Sequence, residues 1–142
     1  MVSGVSQGVN NAETARGRVH QLLQLGQIRP EVARFCINVI DGVERRLASI
    51  LAGDHAVQFV THLAMALERA RSGQQVDTDV TALEAELASE SEALKLASEV
   101  VQTAKEGLGI DLNKAEFLFL ALHLAVVLKS AMCRTAGQPP NC

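Results

Sequence analysis

Apolar residues recur along most of this chain at spacings of three and four. Between Glu31 and Leu51 they fall at Val32, Phe35, Cys36, Val39, Ile40, Val43, Leu47, Ile50 and Leu51. Arg34, Glu44, Arg45 and Arg46 lie largely off that line. The period is one face of an α-helix, and Pro30 suits its first turn because no N–H is needed there. Gly53 ends this helix, and Asp54 is placed to cap a second one running to about Arg71, where Ser72 and Gly73 close it. A polar connector, QQVDTD at 74–79, leads to a short third helix over Val80 to Leu87. From Ser91 to Leu108 the inner face is Leu94, Ala97, Val100, Val101, Ala104 and Leu108, and Gly107 and Gly109 end the helix. Asn113-Lys114-Ala115-Glu116 then has the form of a capping box, a capping side chain with a Glu three residues on. The last helix runs to about Cys133, and TAGQPPNC cannot continue it.

The ends carry less signal. MVSGVSQGVNNAETARG mixes Gly, Ser, Asn and Gln without a period, and Val19 to Leu25 has room for two helical turns before Gly26 and Pro30. The pattern as a whole predicts one all-α domain of five helices over 30–133. A mobile N-terminal segment over 1–29 precedes it and a flexible tail over 134–142 follows it. The opening Met and the polar, Pro-containing end read as a complete chain.

Composition agrees with helices. The chain of 142 residues is 48% hydrophobic but only 3% aromatic, with no Trp or Tyr, so Leu, Ala and Val must fill the core. Such small, straight or lightly branched side chains suit close-packed helices better than a β-sandwich. A net charge of −3 without any concentrated Lys/Arg face argues against a nucleic-acid surface. No apolar stretch reaches the roughly 18–20 residues of a membrane span, and no charged start with an apolar run reads as a signal peptide. Cys36, Cys133 and Cys142 lack metal-ligand spacing, and an odd count suits a reducing, cytoplasmic setting.

Four histidines remain as candidates for chemistry. His123 interrupts the apolar run EFLFLALHLAVV, residues 116–127. On its own it reads either as a core histidine bonded to a carbonyl or to Glu116, or as a residue that the helix exists to hold. Residues seven apart on a helix are two turns apart and about 20° off one line. His55, His62 and Arg69 are spaced by sevens, and so are Glu116 and His123. Each of two helices therefore presents a histidine with a charged residue two turns away on the same face. A metal site from His55, His62 and His123 lacks the usual spacing and a completing ligand, and no cofactor is expected. No Ser or Cys nucleophile with a partnered base, GxSxG motif or Gly-rich phosphate loop is present, so no enzyme is expected.

VTHLAMALERARSGQQV, residues 60–76, resembles the stretch of PTS regulation domains in which a His is followed seven residues later by an Arg and then a Gly-containing turn. EALKLASEVVQTAKEGLGIDLNKAEFLFLALHL, residues 92–124, is similar to the second half of the same domain. There a helix ending in glycine leads through a polar link into a helix carrying Glu and then His. The resemblance covers roughly residues 32 to 130. It implies a five-helix bundle that commonly pairs into a homodimer. It also implies phosphoryl transfer to His62 and His123 from HPr or an enzyme II component of the sugar phosphotransferase system. Arg69 and Glu116 match the family's accompanying charges. His55 follows an Asp as in the family's first motif, but it stands too far from Arg69. His20 lies outside the resemblance.

The usual family member carries a second domain and an output module, and neither fits in 142 residues. The resemblance therefore implies a stand-alone domain acting through partner association, with a second copy or another regulator protein, in transcriptional control of sugar use, without direct nucleic-acid or membrane contact. The alternative is a non-phosphorylated helical dimerisation or scaffold protein. Solvent access to the two rings separates the two, because a phosphoacceptor must be reachable by its donor.

Overall fold

A computed structural model describes residues 14–135, with side chains as far as residue 131. Thr14 opens the first helix, α1 (Ala15–Gln24), from an extended backbone, and its hydroxyl accepts the Gly17 N–H at 2.9 Å. Ala15, Val19 and Leu22, spaced four and three apart, are buried. The start of α1 is tied down further by the Ala15 N–H donating to the Leu51 carbonyl at 3.0 Å and by a bridge between Thr14 and Ala52. The sequence pattern places this stretch inside a mobile segment with room for two helical turns. The ordered helix is longer because Thr14 caps it and its first turn is tied to Leu51 and Ala52, partners that no local pattern shows. Residues 1–13 and 136–142, and with them part of the expected mobile N-terminal segment and most of the expected tail, lie outside the described residues.

α2 (Pro30–Leu47) begins with Pro30 in its first turn, as the sequence predicts. It ends at Leu47, four residues before the expected Leu51, and the cap residue Ala48 adopts φ 53° and ψ 40°. This left-handed conformation costs an L-residue roughly 1–2 kcal/mol. Compensation comes from Glu44, whose carboxylate accepts the Leu51 N–H at 2.8 Å and an Arg16 N–H at 2.9 Å. Asp41 accepts from Arg16 as well. Those bonds draw the chain out of the helical path and leave Leu51 buried and Ile50 exposed.

α3 (Asp54–Arg71) starts with Asp54 as its first residue, and the Gly53 carbonyl accepts the Val57 N–H, so Gly53 occupies the cap position expected of Asp54. Ser72 and Gly73 close α3, with the Gln74 N–H returning to the Arg69 carbonyl at 2.7 Å. α4 (Thr81–Leu87) is short, and α5 (Ser91–Leu108) ends at Gly109, whose φ of 67° allows the Gly109 and Ile110 N–H groups to satisfy the last carbonyls. α6 (Lys114–Thr135) is the longest helix and is buried around much of its circumference, from Leu118 and Leu120 to Leu124 and Val127.

The chain divides into two compact units, residues 1–65 and 66–142, with the division inside α3. In the first unit α1 packs on α2, and Val19, Val32, Ile40, Phe59 and Leu63 are fully enclosed. In the second unit α5 lies along α6 and α4 packs on α6. Leu96, Ala97, Val100 and Ala104 of α5 are buried there, as are Leu118, Leu120 and Leu124 of α6. Each leucine removed from water in this way contributes about 1.5–3 kcal/mol. The fold is all-α, as expected. Among the described residues there are six helices and no strand, against the five helices expected; α1 is the addition. Among them, too, no helix is long and apolar enough to cross a membrane.

Candidate functional site

The charged residues of the two histidine stripes meet each other within the second unit. Arg69 lies in the last turn of α3 and Glu116 in the first turn of α6. A carboxylate at a helix N-terminus and a cation at a C-terminus each sit at the favourable end of the helix dipole. The Arg69 Nε donates to Glu116 Oε2 at 3.2 Å, and Nη2 donates to Oε1 and Oε2 at 3.1 Å each. The Val76 N–H adds a further bond to Oε2 at 3.2 Å. The Glu116 side chain is 0% exposed and that of Arg69 30% exposed. Such a buried carboxylate is tolerable only because its oxygens are saturated by donors, one of them a guanidinium.

Asn113 explains why Glu116 is free to do this. Its side-chain oxygen accepts the Glu116 N–H at 2.9 Å, the first half of a capping box. The reciprocal half is absent: the Asn113 N–H goes instead to Gln75 Oε1 at 2.8 Å, and Asn113 Nδ2 donates to the Val76 carbonyl at 2.9 Å. Gln75 Nε2 in turn donates to the Asp111 carbonyl at 3.1 Å. The connector expected to be merely polar is therefore stitched to the start of α6 at Gln75 and Val76. Glu116, released from capping duty, turns to Arg69.

Neither candidate histidine is fully buried, although the Nε2 atom of His62 is enclosed. His123 is half-buried on α6, seven residues beyond Glu116 and between buried Leu120 and Leu124. Burial holds its pKa below the ordinary histidine value, which favours the neutral, nucleophilic imidazole. His62 is half-buried on α3, in the first unit. His55, in the first turn of α3, and His20, on α1, are exposed. Glu116 thus differs from a solvated helix charge, the plainest alternative for that residue, while Arg69 keeps a partly exposed flank.

One residue near His62 is not legible from the sequence pattern. Arg18 of α1 donates from Nη1 to Thr61 Oγ1 at 3.1 Å, and Thr61 immediately precedes His62. The Thr61 hydroxyl donates to the Val57 carbonyl at 2.7 Å, which leaves its lone pair for Arg18. Thr61 is visible beside His62 in the sequence, but nothing in the pattern of the N-terminal segment points an arginine at it.

A family model described as the PRD domain matches residues 38–126, well over half of the chain. The match spans α3, α5 and most of α6, and so takes in His62, Arg69, Glu116 and His123. Comparison with curated proteins and with solved structures found no match. All-helical architecture, the His–Arg and Glu–His stripes and the family model lead to one assignment: the chain belongs to the PRD domain family.

Proposed function

We propose that this protein is a regulatory domain whose His62 and His123 accept phosphoryl groups from phosphotransferase-system proteins, HPr or an enzyme II component. The observation that carries the reading is that neither His62 nor His123, both inside the family-matched stretch, is fully buried. Each sits on a packed helix without being fully buried, and because the Nε2 atom of His62 is enclosed, acceptance there falls to Nδ1. The neutral state favoured at His123 adds the lone pair that the reaction needs.

In the transfer, a ring nitrogen's lone pair attacks the phosphorus of the donor's phosphohistidine. The new N–P bond forms as the donor's P–N bond breaks, and that electron pair returns to the donor ring, which takes up a proton from solvent. The acceptor ring, briefly cationic, loses its other N–H proton to solvent. A neutral side chain becomes a dianionic one with three strong acceptors, a change large enough to bias association with a second copy or with another regulator protein. In this reading the domain works in the cytoplasm, in transcriptional control of sugar use. It acts through protein contacts, with no catalytic role of its own.

Incubation with enzyme I, HPr and phosphoenolpyruvate, followed by intact mass measurement at neutral and acid pH, tests the reading. Acid-labile phosphorylation is expected, and its absence favours a helical dimerisation or scaffold protein whose histidines only pack.

A further inference from the structure

The two arginines of α1 are used differently. Arg16 is paired with Asp41 and Glu44. Arg18 is half-buried and bonds through Nη1 to Thr61, while its Nε is enclosed with no hydrogen-bond partner. Among the described residues no carboxylate pairs with it. A guanidinium carries five donors in a flat fork, and a half-buried one is ordinarily matched to an anion. Here the fork is fixed in place by a neutral hydroxyl and its charge is left over.

The neighbour of that hydroxyl in the chain is His62, about 100° further round α3. The other cation on the His62 stripe, Arg69, is engaged by Glu116 and so is not the obvious receiver of a new anion. Arg18, Thr61 and His62 all belong to the first unit, and Arg18 lies outside the residues that the family model matches.

We propose that Arg18 is the cation that receives the phosphoryl group carried on His62, with Thr61 positioning its guanidinium. The proposal rests on the reading of His62 as a phosphoacceptor and extends it to a residue of α1. Before phosphorylation the Nη2 end of the fork is unmatched by any acid. Afterwards it faces a group with about two negative charges and three acceptor oxygens, the partner a planar fork fits best.

The test uses a full-length variant with His20, His55 and His123 replaced by Gln, so that His62 is the remaining histidine. It is phosphorylated in parallel by phosphoramidate, which releases ammonia as the phosphoryl group moves to the ring, and by enzyme I, HPr and phosphoenolpyruvate. The phosphorus resonance of the product is then followed against pH. With Arg18 present the dianion is favoured, so the phosphoryl titration midpoint lies low. Arg18→Gln should raise the midpoint by about one pH unit, Arg18→Lys by less, and Thr61→Ala in the same direction. Thermal melting of the unphosphorylated variants checks that each is folded, and Thr61→Ala provides the readout if Arg18→Gln is not. A midpoint unchanged by Arg18→Gln and Thr61→Ala overturns the role of Arg18 while His62 remains an acceptor. Labelling by phosphoramidate but not by HPr overturns the relay reading, and the raised midpoint then still supports Arg18. No label on His62 from either donor overturns both.

Discussion

Arg69 holds the fully buried carboxylate of Glu116 through three N–H···O contacts of 3.1–3.2 Å, so the last turn of α3 and the first turn of α6 share one ion pair. The partners are unequal, because Arg69 keeps 30% of its side-chain surface and Glu116 keeps none. If Glu116 is changed, Arg69 can turn to water. If Arg69 is changed, a carboxylate is left enclosed without its cation. Arg69→Ala should therefore cost about 3–5 kcal/mol of unfolding free energy. Glu116→Gln, which keeps an oxygen for the Val76 N–H, should cost only about 1–2 kcal/mol. Denaturant unfolding of the two variants measures the difference, and equal losses would mean that the pair is not buried as described.

Asn113 caps α6 and also holds the connector through the Val76 carbonyl. Asn113→Ala should lose about 1–2 kcal/mol, the upper part of the usual range for an N-cap, because two bonds go rather than one. Asn113→Ser retains a capping oxygen but cannot donate to Val76, and should fall between the two. Melting temperatures of the three proteins give the order directly.

Gly109 stands at φ 67°, with nothing within 4 Å of the position that a Cβ would take. Gly109→Ala should therefore show backbone strain alone, about 1 kcal/mol, with no steric term added to it. A much larger loss by calorimetry would point to crowding at the end of α5 that the surroundings of Gly109 do not contain.

Stability should also report on His123. Its folded pKa lies below the ordinary histidine value because burial disfavours the cation. Between the two values the unfolded chain binds more protons than the folded one, so stability falls as the pH drops through the ordinary histidine range. The contribution is fully present above that range and is lost as the pH falls toward the lower folded value. Unfolding curves at pH 7.5 and 5.5 should show a decline in the wild type that is smaller in His123→Gln.

Much of this was legible from glycines and periodicity. The bounds of α3 and α5 follow from Asp54, Ser72, Gly73 and Gly109, which punctuate strongly periodic runs. Residues seven apart placed His62 with Arg69 and Glu116 with His123 on shared faces, because helix geometry alone sets that spacing. What could not be read were the bonds between distant elements. The early end of α2 depends on Glu44 reaching Leu51, and the ordered α1 on Thr14 and Ala15 meeting Leu51 and Ala52. The union of Arg69 with Glu116 joins residues 47 apart, and Arg18 meets Thr61 across 43. No local pattern encodes partners so far away along the chain.

The central claim concerns two rings. After phosphorylation by enzyme I, HPr and phosphoenolpyruvate, peptide mapping under neutral conditions should place phosphate on His62 and His123 in the wild-type protein. His62→Gln and His123→Gln should each remove one of the two, and the double variant should carry none. Phosphate on His55 or His20 instead, or a double variant labelled as fully as the wild type, would contradict the account.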